Sequence, residues 1–376
     1  MTELFGSAVL RRQWKRERLE KIKRPILVAY GDGLDSSAMM MAMHDRGMRP
    51  DAVVFADVGG EKEETYRYLP VISRWLKARG WPKVTVVRYR PKKFKNYPPY
   101  HDLESNCLSN GTLPSLTFGF KSCSIKWKAA PQEKWCMEWR VALETWGKGQ
   151  RIVKLIGFDD SKGDQRRSNH AGNADDPKYE YRYPLQEWGM TRSSCVNRII
   201  REQLPGWNPG YLDFMPPTLE AWKEFALHRT KENFKEFTQS VAALRSALFW
   251  VKRGGIPMKS SCWFCPAMKI PEVCLLPKEK LQRIVMMEAR ARPRHHTVKG
   301  LWRKATKIKP GSMTEFIRLA QLLPAKEIKR LEDSVPPRLR RAVDDFRNGM
   351  PVEPWEEFFE NVGVQPMGFC GDFYGE

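Results

Sequence analysis

Residues 26–37 read Ile-Leu-Val-Ala-Tyr-Gly-Asp-Gly-Leu-Asp-Ser-Ser. A short apolar run stops at a glycine-containing turn and continues into a helix-like segment over residues 36–46. Strand, tight turn and helix start, in that order, gather several backbone N–H groups and the positive end of the helix dipole at one point, which suits a phosphate. Ser36 and Ser37 can cap or donate there. No lysine follows Gly33, so this is not a Walker A loop and the chemistry is not of the kinase or GTPase type.

The pattern repeats along the chain. Residues 52–56 form a second β-branched run, and an amphipathic helix follows from Glu63, Glu64 and Tyr66 through Trp75 and Leu76. Residues 83–88 and 151–156 give two more strands. Such alternation predicts an α/β fold, a doubly wound and mostly parallel sheet with its ligand at the carboxyl ends of the strands. Residues 161–178, rich in Gly, Asn, Asp and Ser, read as a flexible loop over those ends. Residues 204–255 read as a partly helical insertion, and helices over 278–291, 313–323 and 337–348 predict an all-α C-terminal part. The expected organisation is a basic arm over 1–24, an α/β domain over 25–275 and a helical region over 276–376.

Gly31, Asp32, Gly33, Leu34, Asp35 and Ser36 resemble the S-G-G-x-D-S loop of the PP-loop ATP pyrophosphatase (adenine nucleotide alpha-hydrolase-like) superfamily. Gly31 stands where that family has serine, and Asp32 where it has the first of two glycines. A carboxylate beside a pyrophosphate is repulsive unless a divalent cation bridges them, so Asp32 either points away or helps to hold Mg²⁺. Residues 57–66, Asp-Val-Gly-Gly-Glu-Lys-Glu-Glu-Thr-Tyr, resemble the F-x-D-T-G-x-E-x-x-E-T segment of the phosphoadenosine phosphosulfate (PAPS) reductase branch. Gly157-Phe158-Asp159-Asp160, with Arg166 and Arg167, is similar to a G-x-x-x-x-E-x-x-R segment in which the arginine reaches a phosphate or acidic substrate. The resemblance spans about residues 25–268. It implies that Tyr30, Gly31, Asp32, Gly33, Leu34, Asp35, Ser36, Ser37, Asp57 and Gly157 surround the nucleotide, with Asp35 and Arg166 in catalytic roles.

The chain has 8 cysteines, one pair of them in a C-x-x-C, which fits a reduced compartment and a metal site better than a disulfide framework. Cys262 and Cys265 sit on one tight turn, half of the ligands that Zn²⁺ or an iron–sulfur cluster needs. Three segments in order resemble those of cysteine-containing phage and bacterial relatives of the reductases: Cys123 to Lys128, Gly189 to Cys195 and Ser261 to Pro266. The resemblance implies one four-thiolate site, Cys123, Cys195, Cys262 and Cys265, holding zinc or a [4Fe–4S] cluster, with Cys107 as the substitute ligand. Cys136 and Cys274 read as core. Cys370 stands in a tail that lacks the glutamate and histidine of the reductases' nucleophilic motif.

Lys+Arg number 65 against Asp+Glu 44, a net charge of +21, which favours a polyanionic partner, nucleic acid above all. Lys92, Lys93, Phe94, Lys95, Tyr97 and Tyr100 interleave cations with aromatics, as do Lys121, Lys126, Trp127 and Lys128, a composition in which rings stack on bases while lysines track phosphates. No apolar run reaches the roughly 18 residues that span a bilayer. The N-terminal basic run follows its short apolar one, the reverse of a signal peptide, so the expected location is cytoplasmic.

In the superfamily, a substrate oxygen attacks the α-phosphorus of ATP and a nitrogen or sulfur nucleophile then displaces AMP. The expectation is an ATP-using enzyme that modifies or thiolates a nucleic acid or nucleobase, with Cys107 or Cys370 as sulfur carrier if thiolation is the chemistry. The alternatives are sulfonucleotide (PAPS) reduction, or a non-catalytic nucleic-acid-binding protein that keeps the fold.

Overall fold

The β-branched runs form a five-stranded parallel sheet in the order β3-β2-β1-β4-β5, from β1 (Ile26–Tyr30), β2 (Ala52–Asp57), β3 (Val84–Arg88), β4 (Ile152–Ile156) and β5 (Tyr179–Arg182). This computed structural model describes residues 18–120, 122–170, 176–202, 261–268, 270–274, 276–306, 309–335 and 339–364. Most of the basic arm, all of the expected insertion over 204–255, Lys121 and Cys370 therefore lie outside the described residues. The principal helices are α1 (Leu34–Asp45), α2 (Glu63–Lys77), α3 (Leu103–Asn110), α4 (Ala130–Cys136), α5 (Arg140–Gly147), α6 (Lys162–His170), α7 (Arg192–Glu202), α8 (Lys278–Ala291), α9 (Met313–Leu319), α10 (Ala325–Ser334), α11 (Leu339–Arg347) and α12 (Trp355–Asn361). Among the described residues no helix is long and apolar enough to cross a membrane.

Two elements differ from the sequence reading. The expected flexible loop over 161–178 contains α6. Its first turn is fastened by Ser161, whose Oγ accepts from the Asp164 N–H at 3.4 Å, and by the Arg167–Asp164 ion pair at 2.7 Å. The polar composition that suggested a loop supplies these local bonds instead. β5 escaped notice because Tyr-Glu-Tyr-Arg lacks an apolar run. Its Arg182 is nevertheless buried, neutralised by Glu180 and Glu187.

The chain folds into two compact units. One compact unit comprises residues 1–54, 73–85 and 136–204, and the other residues 55–72, 86–135 and 205–376. In the first unit α1 is buried on nearly every side through Met39, Met40, Met41 and Met43, as expected of a helix apolar all round. It packs on α7, where Arg198 grips Asp45 by two bonds of 2.7 and 2.8 Å. In the second unit α8 is the central element, packed by α3, α9 and α10. Buried Glu104 pairs with Arg283, and the Arg290 Nε–H donates to the Leu108 carbonyl at 3.0 Å. Lys62 and Glu272 form an ion pair at 2.6 Å with both side chains almost wholly buried. These ties, which no local pattern reveals, join residues 55–72 and 86–135 to the helical region.

Candidate functional site

β1 ends at Tyr30, and the chain turns through Gly31, Asp32 and Gly33 before α1 begins. β4 lies parallel on one side of β1, with Ala29 opposite Ile156, and β2 lies on the other. The segments leaving β1 and β4 therefore part at the topological switch point, where open α/β sheets bind their ligands. Ser36 Oγ lies 3.4 Å from the Gly31 N–H and 3.3 Å from the Gly33 N–H, and donates to the Gly33 carbonyl at 3.2 Å.

Asp32 has φ +49°, a left-handed conformation that aspartate tolerates better than most residues with a side chain. This explains how it stands where the resemblance calls for glycine. Its carboxylate turns inward and is fully buried. The Tyr30 hydroxyl donates to Asp32 Oδ1 at 2.7 Å, and Ser37 Oγ lies 3.0 Å from that hydroxyl. The side chains of Tyr30, Leu34 and Ser37 are likewise buried, so these residues offer a ligand their backbone groups.

Gly157, at the end of β4, lets α1 start where it does. A Cβ there would lie 2.8 Å from the backbone N and Cα of Ser36. Gly157→Ala is expected to destabilise the protein by about 1–3 kcal/mol, the usual cost of overpacking against backbone, and to weaken nucleotide binding along with it. Thermal melting with and without ATP measures both effects.

Three carboxylates meet beyond Gly157. Ligand oxygens of Asp35, Asp159 and Asp164 all lie within 4.8 Å of one another. Asp35 Oδ2 accepts from Arg192 Nη1, while Asp35 Oδ1 is buried without a hydrogen-bond partner. Burial pushes the Asp35 carboxyl up to about 6, with the Arg192 guanidinium opposing and Asp159 and Asp164 adding to the rise. Asp159 is buried, its Oδ1 accepting from the Ser161 N–H at 3.0 Å. An orphaned oxygen among crowded carboxylates makes a hard oxygen donor set of the kind Mg²⁺ takes, with Arg192 and Arg167 balancing part of its charge.

The sequence reading placed Asp35 here but not Asp164 or Arg192. Arg192 lies within the very segment quoted for Cys195, and its charge beside a cysteine was the available signal. Of the two arginines on α6, the structure ties Arg167 to Asp164, its guanidinium 4.3 Å from the centroid of the Phe158 ring, while Arg166 is exposed. Arg166 is thus not the arginine that meets the carboxylates. Cys195 is buried against this same cluster, and its thiol is pushed up first by burial and then by Asp35 and Asp159.

The second unit holds the other predicted residues. Asp57 is buried, and its oxygens accept from Tyr66 Oη at 2.8 Å, the Gly59 N–H at 2.7 Å and Arg88 Nε at 2.7 Å. Its carboxylate therefore serves the end of β2 and leaves little capacity for a nucleotide. Gly59 has φ +73°, and a Cβ on it would meet Asp102 Cβ at 2.3 Å.

The strand-like segment after Gly59 docks on the C-x-x-C turn. Glu61 bridges Cys262, the Trp263 N–H donates to the Gly60 carbonyl at 2.9 Å, and the Cys265 N–H closes the turn on the Cys262 carbonyl at 3.0 Å. Buried Glu61 accepts from Lys128 Nζ at 2.8 Å. Burial raises the Cys262 thiol, as do Glu61, Cys265 and Cys123, while Lys128 opposes the rise. Cys123 stands just before a π-helical turn, Ile125–Ala129, a form common at functional sites. Cys107 is buried, its thiol raised by burial, Glu104, Asp102 and Cys123. An activated nucleophile needs the opposite shift, which argues against Cys107 as sulfur carrier.

Cys107, Cys123, Cys262 and Cys265 thus lie in one unit, with Cys123 acting on both Cys107 and Cys262 and Cys265 acting on Cys262, while Cys195 accompanies the carboxylates of the other. No three of these sulfurs lie within 4.8 Å of one another. A single tetrahedral zinc would draw them to about 3.8 Å, whereas an iron–sulfur cluster, giving each thiolate its own iron, takes a wider set. Cys136 and Cys274 are buried, as expected of core residues. No protein-family model and no curated protein matches the chain.

Proposed function

We propose that the chain is an ATP-using enzyme of the PP-loop type, with a doubly wound adenine nucleotide alpha-hydrolase-like fold, that adenylates and then modifies or thiolates a nucleic-acid or nucleobase acceptor. The observation that carries this reading is the meeting of the β1 turn with Asp35, Asp159, Asp164 and Arg192 at the switch point of the sheet. The N–H groups around Gly31 and Gly33 and the start of α1 would cradle the β- and γ-phosphates. Asp35, Asp159 and Asp164 would hold Mg²⁺, which supplies charge neutralisation for the polyphosphate. Arg192 would move from Asp35 to the developing negative charge as the acceptor oxygen attacks the α-phosphorus and pyrophosphate leaves. Positioning and charge account for the catalysis, and no protein nucleophile is needed.

The burial of Asp32 and its bond from the Tyr30 hydroxyl support this reading over the non-catalytic one, because the residue that departs most from the family pattern is held by a partner within the protein. Cys123, Cys262 and Cys265, with Cys107 or Cys195 as the fourth ligand, would hold zinc or a [4Fe–4S] cluster. Sulfonucleotide reduction rests on Cys370 and has no observation in its favour. Incubation with α-labelled ATP and Mg²⁺ tests the proposal: AMP and pyrophosphate are expected, with turnover stimulated by the acceptor. Thioredoxin-dependent reduction of PAPS without ATP turnover overturns it, and so does nucleic-acid binding with no turnover.

A further inference from the structure

The second unit carries an aromatic pair that neither the thiols nor the carboxylates use. Tyr97 and Phe346, distant in sequence, stack with ring centroids 3.9 Å apart and planes 15° from parallel. Tyr97 is half-buried, while Phe346 is 47% exposed and Met350 just beyond it 55%. A lone exposed phenylalanine needs no explanation. This one is held in a fixed plane by its partner, so the entropy of ordering it is already spent before any ligand arrives.

The pair adjoins a hollow of about 340 Å³ lined by Tyr97, Pro99, Phe346, Met350 and Pro351. A second hollow of about 650 Å³ shares Tyr97 and carries Arg341. The smaller one has the size and the flat apolar walls that suit a single heteroaromatic ring. The surrounding charge suits the rest of a nucleotide chain. Lys92, Lys93 and Lys95 are exposed on the segment leading to Tyr97, and Arg347 is exposed next to Phe346. Asp345 is compensated by Arg341 at 3.8 Å. Fixed aromatic faces interleaved with free cations are how proteins bind strands whose bases are unpaired. A duplex, its faces already stacked, offers such a ring nothing.

We infer that the Tyr97–Phe346 pair is a stacking platform for an unpaired base of a single-stranded nucleic acid, with Lys92, Lys93, Lys95 and Arg347 following its phosphates. The inference rests on the reading of the acceptor as nucleic acid and specifies that the acceptor is single-stranded.

Fluorescence anisotropy of the full-length protein with a fluorescein-labelled oligothymidylate, and with the same strand in a duplex, tests it. Phe346→Ala is expected to weaken single-strand binding about tenfold and to leave duplex binding unchanged, with the melting temperature falling by no more than a few degrees for the lost contact with Tyr97. Phe346→Trp should bind at least as well as the natural protein, which separates a lost stacking face from a disturbed helix. The double variant K92A/K93A should flatten the salt dependence on single strands. Single-strand affinity unchanged in Phe346→Ala overturns the platform alone, as does equal weakening toward single strand and duplex. Natural protein that turns over ATP yet binds neither oligonucleotide overturns the platform and the nucleic-acid acceptor together, while the nucleotide loop stands.

Discussion

Asp35→Asn is expected to lower ATP turnover at least a hundredfold while raising the melting temperature at pH 7. The loss follows from the role proposed for Asp35, the carboxylate that joins the turn to Asp159 and Asp164. The gain follows from its environment. Its carboxyl sits at about 6, against 3.8 for the unburied group, chiefly because of burial. A folded-state value above the unfolded one means that the ionised form is disfavoured in the native protein. The cost is absent below about pH 4, grows between pH 4 and 6, and reaches roughly 3 kcal/mol above that. Asparagine carries no such cost, and Arg192, partly exposed, keeps its hydration when unpaired. The difference in melting temperature between variant and natural protein should therefore open as pH rises through this window. Mg²⁺ should close it by stabilising the natural protein alone, with an apparent affinity about tenfold weaker at pH 5 than at pH 7, since one proton competes for the site. A variant that is less stable at pH 7 and still turns over ATP would refute both arguments.

Serine in place of Cys123, Cys262 or Cys265 is expected to empty the thiolate site and to cost the second unit its fold. The Cys262–Cys265 turn is paired with residues 60–62, and Lys62 is in turn committed to Glu272 at 2.6 Å in the interior. Displacing that turn would strand a buried charge as well as lose the ligation, and structural metal sites supply about 10–16 kcal/mol in small domains. Metal analysis of anaerobically purified protein, with circular dichroism before and after chelation, reads both effects. The fourth ligand is decided by a pair of variants. C107S should lose the metal and C195S should keep it, because Cys107 shares the unit and the electrostatic environment of Cys123 whereas Cys195 faces Asp35 and Asp159. The reverse pattern restores the set read from the sequence, and full occupancy in all five variants removes the site altogether.

The strands and the turn were legible in the sequence because they rest on local pattern. Residues 26–37 announce strand, turn and helix through one apolar run and two glycines, and α8 falls over the residues expected of it. What was illegible depends on partners far away in the chain. Nothing near Asp164 tells that it converges on Asp35, and for Arg192 the only local signal is its charge three residues from Cys195. The grouping of residues 55–72 and 86–135 with the C-terminal helices depends on buried pairs such as Glu104–Arg283, which lie 179 positions apart.

The path of the backbone between the two units bears on how such a protein can change. It passes from one to the other at residues 54–55, 72–73, 85–86, 135–136 and 204–205, so neither is a contiguous stretch that could be cut out, swapped or fused elsewhere. Truncation near residue 275, where the composition shifts, would remove the far half of a folded body and leave an orphaned remainder. The nucleotide turn and the thiols are in this sense woven on one loom: recombination hands them on together or destroys both, and divergence of either has to proceed by point substitution.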